Sequence, residues 1–144
     1  HGLEVCVAEG STILRPGTIT FAEPRAEISA VSRHSQTWRV AVNPTSAPTQ
    51  NRPSIDALFH SASPWAPSVL AVVMTGIGDD GADGLARLSA RGAQTIVQSP
   101  RSSVAPGMPT SAHNLDAAAQ VVDLPDLAQT IVIGANAASR TPRK

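Results

Sequence analysis

The sequence predicts an α/β fold, and two observations support this prediction. The uncharged aliphatic run from Val69 to Met74 is typical of a strand buried on both faces of a parallel sheet. A glycine-rich turn and a helix follow it, and a second aliphatic run, Ala93 to Gln98, comes next. Strand, helix and strand in this order predict a βαβ unit with a right-handed crossover.

The first half of the chain predicts short strands ahead of this unit. We expect a turn at Arg15-Pro16-Gly17, and strands over Leu3 to Ala8, Thr18 to Ala22, Glu27 to Val31 and Thr37 to Val42. The prolines and polar residues of Asn43 to Pro53 predict a loop. Ser54 is a good N-cap for a helix with regularly spaced apolar residues, and Pro64 and Pro67 are expected to end it.

The second half predicts alternating helices and strands. The helix after the glycine turn extends to about Arg91, with Gly92 at the C′ position. We then predict a polar turn over Ser99 to Ser103, a short helix over Thr110 to Asn114, a strand at Val121-Val122 and a helix over Leu124 to Gly134. We expect one domain over residues 1–134 and a disordered tail over 135–144. Because His1 is not an initiator methionine, we expect the domain to be truncated at its N-terminus.

The composition excludes several classes of function. The 144 residues include 11 basic and 11 acidic ones, and this balance argues against a nucleic-acid or acidic-membrane partner. Aromatic residues make up only 3% of the chain, too few for base-stacking platforms. No apolar run reaches the roughly 18–20 residues of a membrane span, and Cys6 alone cannot form an internal disulfide. We therefore expect a cytoplasmic protein without membrane insertion, cofactor or metal.

The glycine-rich turn, which lies within Leu70 to Gly84, allows four interpretations. Its G-x-G-x-x-G pattern fits dinucleotide binding, but Asp79 and Asp80 would repel a pyrophosphate. Together with Asp83 they suggest a divalent cation site, although the spacing is not that of a calcium loop. One aspartate could instead cap the helix while the glycines turn the chain. A strand-end aspartate can also orient a catalytic histidine, as in a Ser-His-Asp triad.

The partners of such a triad are not evident from local patterns. None of the four histidines lies in a motif that marks a general base; they are His1, His34, His60 and His113. No serine occupies a G-x-S-x-G elbow, and Ser102-Ser103, the nearest approach, lacks the flanking glycines. Cys6 lies on a predicted strand and is expected to be a core residue rather than a nucleophile. The residues themselves therefore indicate one triad member.

Several segments resemble a known family, the CheB-type catalytic domain of chemotaxis protein-glutamate methylesterases. The βαβ unit carries most of this resemblance, in Thr75 to Ala82 with Gly84-Leu85, and in Gly92 to Gln98. Other segments that resemble the family, in the same order, are Pro16-Gly17, Arg52 to Phe59, and Gly107-Met108-Pro109 with Ala112. The resemblance covers the chain from about Val5 to Ile131.

The resemblance implies a doubly wound, mostly parallel sheet with helices on both faces and a small β-hairpin region near the N-terminus. It also implies a serine hydrolase that hydrolyses glutamate methyl esters on the cytoplasmic domain of methylated chemoreceptors and deamidates some glutamines. By position, Asp80 corresponds to the triad acid, the backbone N–H of Ile77 to an oxyanion-hole donor, and Asp79 to a bystander. A receiver domain is expected upstream in the parent protein.

The chain also departs from the family pattern. The family's nucleophilic serine, base histidine and first strand precede the region where this chain begins, so we expect it to be inactive alone. The family's Ala-Pro-x-x-x-His segment corresponds here to Ala22 to Glu27, without the histidine, and Pro106 replaces a bulky residue. Two alternatives stay open: a non-catalytic binding or regulatory module of the same fold and, less favoured, a dinucleotide-binding domain.

Overall fold

The computed structural model describes residues 3–22, 26–34, 37–44 and 53–140, and every structural statement below concerns these residues. They form the strands β1 (Glu4–Val7), β2 (Ser11–Leu14), β3 (Thr18–Phe21), β4 (Ala26–His34), β5 (Thr37–Pro44), β6 (Leu70–Val73), β7 (Gln94–Gln98) and β8 (Gln120–Val122). The α-helices are α1 (Ile55–Ala62), α2 (Ala82–Ala90), α3 (Gly107–Asn114) and α4 (Leu124–Arg140). Within this part of the chain, no helix combines the length and the hydropathy needed to cross a membrane.

The N-terminal strands form two small sheets. Strands β1 and β3 pair in parallel, and β2, β5 and β4 form an antiparallel sheet in that order. The strand predictions are confirmed, but β2 is an additional strand that the sequence analysis missed. The predicted loop begins later than expected because Asn43 and Pro44 belong to β5, and residues 45–52 lie outside the described residues.

These sheets pack on α1 but leave one apolar face uncovered. Ala8, Ile28 and Val40 form a small buried cluster that contacts Leu58 of α1. The pair formed by β1 and β3 exposes a row of apolar side chains: Leu3, Val5, Val7, Ile19 and Phe21. Parallel sheets are normally covered on both faces, so this surface is unusual for its strand type.

The predicted βαβ unit is confirmed. Strands β6, β7 and β8 form a parallel sheet in that order, and α2 connects β6 with β7. Ala71 and Val73 face a core shared with Leu85 and Leu88 of α2. Of the predicted strand, Ala71 and Val73 are buried on one face, whereas Leu70 and Val72 on the other face are partly buried.

The other face of this sheet packs against α4. A Cβ on Gly134 would lie 2.4 Å from Leu70 Cδ1 and 2.8 Å from Gln94 Oε1, and Leu70 and Gln94 are paired in register. Because residues 70 and 71 point to opposite faces, the sheet has helices on both sides. This close contact also explains why Gly134 lies inside α4, although the sequence analysis ended the helix at this residue. Helix α4 continues to Arg140, beyond the helix end predicted at Gly134, and residues 141–144 lie outside the described part.

Prolines lie at two further helix boundaries. As predicted, α1 ends before Pro64, at Ala62, and both Pro64 and Pro67 lie in the separate 3-10 segment Ser63–Ser68 that follows. Proline is tolerated early in a helical turn, where its missing N–H would have no partner. For the same reason α3 includes Pro109 and begins at Gly107 instead of Thr110.

Candidate active site

The candidate site lies at the carboxyl end of β6, where the chain turns into α2. Gly78 and Gly81 adopt positive φ values of 90° and 92°, which favour glycine. The segment between β6 and α2, residues 74–81, is called the glycine loop below. Ligands and reacting groups collect at such strand ends in open α/β sheets.

A second loop holds the glycine loop in place. The N–H of Gly76 donates to the carbonyl of Ala105 at 2.9 Å, and the N–H of Met108 donates to the carbonyl of Gly76 at 3.0 Å. Thr75 Oγ1 accepts from the N–H of Ala105 at 2.8 Å. A Cβ on Gly107 would lie 3.0 Å from the nitrogen of Gly78, so the two backbones are in close contact. The segment Gly107-Met108-Pro109, which is one of those that resemble the CheB-type family, therefore holds the glycine loop in place.

A buried glutamine braces the start of the same loop. Gln98 is 1% exposed at the end of β7. Its Oε1 accepts from the N–H of Thr75 at 3.0 Å, and its Nε2 donates to the carbonyl of Ser102 at 2.8 Å. The sequence analysis assigned no role to Gln98, because Thr75 lies 23 residues earlier in the chain.

The backbone amide of Ile77 remains available within this braced loop. Its N–H has no hydrogen-bond partner among the described residues, whereas the preceding residue, Gly76, is bonded through both its N–H and its carbonyl. The Ile77 side chain is 90% exposed. A fixed, unpaired N–H is the type of group that stabilises a developing oxyanion.

Asp80 is buried at the end of the glycine loop and points at the start of α1. Its Oδ1 accepts from the N–H of Asp56 at 3.0 Å and from Ser54 Oγ at 3.2 Å, while its Oδ2 accepts from the N–H of Ile55 at 2.9 Å. The residue as a whole is 9% exposed. Asp80 therefore caps a helix, as one of the four interpretations of the turn suggested. The capped helix is α1, and not α2, which follows Asp80 in the chain. A carboxylate has about four acceptor positions, so one position on Oδ2 remains.

A reciprocal contact ties α2 to α1. Oδ1 of Asp56, in the first turn of α1, accepts from the N–H of Gly84 in the first turn of α2 at 2.7 Å. A Cβ on Gly84 would lie 2.6 Å from Phe59 Cβ, and one on Gly81 would lie 2.7 Å from Ile55 Cγ2. The sequence analysis assigned no role to Asp56, since nothing local in the sequence marks this contact.

The other aspartates of the turn point elsewhere. Asp79 is exposed and its carbonyl accepts from the N–H of Ala82 at 3.1 Å. Asp83 Oδ2 lies 2.7 Å from His60 Nε2, although that nitrogen makes no aligned hydrogen bond. Asp79 and Asp83 line a common pocket that does not include Asp80, and no metal-binding cluster is found in the part of the chain that the structure describes.

The dinucleotide interpretation is also disfavoured by the geometry. A phosphate at a helix N-terminus needs free backbone N–H groups. At the start of α2, the N–H of Ala82 is bonded to Asp79 and the N–H of Gly84 to the Asp56 carboxylate. A negative group of the chain therefore already occupies the place of a phosphate.

The remaining candidates for a triad are not brought to Asp80. His60 contacts Asp83, and no described histidine contacts Asp80. Ser102 and Ser103 both donate to the carbonyl of Ser99, at 3.1 and 3.0 Å, which is a structural role in the turn. Cys6 is half-buried, with Sγ 3.3 Å from Thr20 Oγ1, as expected for a packing residue.

Comparisons with known proteins agree on one family. The model of the family described as CheB methylesterase matches residues 1–131. A protein-glutamate methylesterase/protein-glutamine glutaminase 1 from Anaeromyxobacter dehalogenans is 39% identical over 136 residues, covering 90% of this chain and 37% of the relative. The enzyme of the same name from Xanthomonas campestris is 35% identical over 126 residues, covering 87% of this chain and 35% of the relative. The chain thus spans little more than a third of either relative.

A solved structure shows the same fold. The crystal structure of the Thermotoga maritima CheB methylesterase catalytic domain superimposes with a TM-score of 0.77, covering 88% of this chain and 67% of that one, at 20% sequence identity. The predicted doubly wound α/β fold, with helices on both faces of a mostly parallel sheet, is thereby confirmed.

Proposed function

Because the chain belongs to the CheB methylesterase family, we propose that it contributes two elements of a protein-glutamate methylesterase active site. Asp80 is the acid of a Ser-His-Asp triad, and the N–H of Ile77 is an oxyanion-hole donor. The nucleophilic serine and the base histidine come from residues outside this sequence. The observation that carries the proposal is the buried Asp80 carboxylate, which is held by three donors at the start of α1, one of them the N-cap Ser54, and keeps an acceptor position on Oδ2.

The proposed chemistry follows from this geometry. Oδ2 of Asp80 accepts the second N–H of the histidine, which fixes its tautomer and stabilises the imidazolium that forms. That histidine takes the serine proton as the serine attacks the glutamate methyl ester. The N–H of Ile77 then donates a hydrogen bond to the oxyanion. Methanol leaves, and water releases glutamate from the acyl-enzyme. Glutamine deamidation follows the same steps with ammonia as the leaving group.

The substrate and partner are part of the same proposal. The printed names of the relatives include glutamate methylesterase and glutaminase activities. We propose the methylated cytoplasmic domain of a chemoreceptor as the substrate, with a receiver domain upstream in the parent protein and a cytoplasmic location. A non-catalytic module of the same fold remains the second candidate, because no described histidine or serine completes a triad at Asp80.

The test measures methanol release from a methylated chemoreceptor. The longer protein containing this chain is expected to hydrolyse the ester, and the 144-residue chain alone is not. In the longer protein, Asp80→Asn should lower kcat by about 10⁴-fold, the typical loss when a triad acid is replaced. Asp79→Asn is the matched control and should stay near wild type, because Asp79 is exposed.

Any of three results would contradict the proposal. Comparable turnover by the short chain would show that the serine and histidine are not supplied from outside. Unchanged turnover in Asp80→Asn would remove Asp80 from the mechanism. Absence of turnover in the longer protein would favour the non-catalytic module.

A further inference from the structure

We infer that Ser54 is a positioning residue that fixes the orientation of the Asp80 carboxylate for catalysis, in addition to capping α1. This inference rests on the proposed function. Ser54 Oγ donates to Asp80 Oδ1 at 3.2 Å and accepts from the N–H of Ala57 at 3.2 Å. A hydroxyl has one donor and two acceptor positions, so it makes both contacts at once.

Ser54 differs from the other two donors to Asp80. The N–H groups of Ile55 and Asp56 belong to the backbone and are present with any side chain other than proline. Within the described ranges, the Ser54 hydroxyl is the one side-chain donor to this carboxylate. The identity of residue 54 therefore decides whether Oδ1 has two donors or one.

The number of donors on Oδ1 determines where Oδ2 points. The torsion that turns a carboxylate is broad and poorly defined without contacts. With two donors on Oδ1 and one on Oδ2, the free acceptor position of Oδ2 has a defined direction. Without the hydroxyl, the carboxylate of Asp80 can turn about the remaining backbone contacts, and the histidine loses a fixed acceptor.

The positioning role can be separated from the capping role by the choice of substitution. Glycine is nearly as good an N-cap as serine, whereas alanine is clearly worse. Ser54→Gly thus removes the donor to Asp80 while largely keeping the stability of α1. Ser54→Thr keeps a hydroxyl at a backbone conformation, φ −87° and ψ 126°, that threonine adopts readily.

The experiment uses the longer methylesterase and methylated receptor, with kcat, KM and urea unfolding measured for each variant. Ser54→Gly should lower kcat about 10-fold with KM unchanged, since a hydrogen bond to a charged group is lost. Ser54→Thr should restore most of the rate. Ser61→Ala is the matched control: it removes a hydroxyl from the same helix that accepts from the N–H of Ala30 at 2.8 Å, and it should leave kcat unchanged.

Asp80→Asn, measured alongside, separates the two proposals. If Asp80→Asn loses activity while Ser54→Gly keeps kcat within twofold of wild type, the positioning role is wrong and the function stands. If Asp80→Asn itself keeps its activity, the proposed function fails first. A rise in KM with kcat unchanged in Ser54→Gly would also overturn the inference, because it would indicate a binding role.

Discussion

Gly84→Ala tests whether α1 and α2 are in contact as closely as the structure shows. The new Cβ would lie 2.6 Å from Phe59 Cβ, and 3.1 Å from both the carbonyl oxygen and Oδ1 of Asp56. Phe59 Cβ and the Asp56 carbonyl are fixed to the helix backbone, so rotation of a side chain cannot relieve the contact. The two helices must separate, and the hydrogen bond from the N–H of Gly84 to Asp56 Oδ1 is lost.

The expected magnitude combines three contributions. Alanine favours a helix over glycine by about 1 kcal/mol. Overpacking costs about 1–3 kcal/mol, and a hydrogen bond to a charged group contributes about 1.5–3 kcal/mol. The losses exceed the gain, and we expect the free energy of unfolding to fall by about 2–4 kcal/mol, a large part of the roughly 5–15 kcal/mol of a typical domain.

Urea unfolding followed by circular dichroism measures this change, with Gly134→Ala as the control. That substitution also places a Cβ in a helix, but the atoms it meets, Leu70 Cδ1 and Gln94 Oε1, are the ends of flexible side chains. These ends can move, so the gain in helix propensity should keep Gly134→Ala within about 1 kcal/mol of wild type. If Gly84→Ala proved as stable as Gly134→Ala, the close contact between α1 and α2 would be refuted.

Two further substitutions test the brace of the glycine loop and the surface ion pair. Gln98→Leu should lower the free energy of unfolding by about 1–3 kcal/mol, because it removes two part-buried hydrogen bonds, to the N–H of Thr75 and the carbonyl of Ser102. Arg101→Met should raise the pKa of Asp123 toward its ordinary value of 3.8, because a hydrogen bond from Arg101 lowers it in the native protein. NMR titration measures this shift. The lowered pKa means that the pair stabilises the fold above the unfolded carboxyl pKa, and that this contribution is lost as the pH falls through the folded value.

The Gln98→Leu and Arg101→Met predictions each have a control and a result that would contradict them. Gln94→Leu removes an amide from the same strand and face without a comparable network, and it should change stability by less than about 1 kcal/mol. Equal losses in Gln94→Leu and Gln98→Leu would mean that the brace is not specific. The Arg101 side chain is largely exposed and the Asp123 side chain partly so, and Arg101→Met should therefore barely change stability at neutral pH. An unchanged Asp123 titration would show that the pair does not persist in solution.

The parts of the fold that sequence reasoning predicted are those with local patterns. From Leu70 to Ala90, the apolar residues change from the continuous run of a buried strand to the spacing of a helix, with the glycine turn between them. Gly92 adopts the expected left-handed C′ conformation with φ 89°. Strand β2 was missed because its four residues pair with β5, more than twenty residues away, and little in the segment itself indicates a strand. Tertiary packing also decided that Gly134 lies within a helix.

The candidate site shows the same division. Asp80 was selected from its place at a strand end and from a resemblance, but its hydrogen-bond partners could not be predicted. They belong to α1, 24 to 26 residues earlier in the chain. The sequence analysis correctly suggested that an aspartate of the turn caps a helix, but it expected the cap on the helix that follows the turn. The capped helix is α1, which lies earlier in the chain, and capping rules consider only neighbours in sequence.

The crossed contacts of Asp56 and Asp80 also bear on how this region opens. The start of α1 is bonded to a carboxylate that belongs to the approach to α2, and the start of α2 is bonded to a carboxylate of α1. Neither helix can fray from its N-terminus without removing a partner from the other. The two helices should therefore unfold together as a single cooperative unit, and the Asp80 carboxylate should stay in place for as long as this unit is folded.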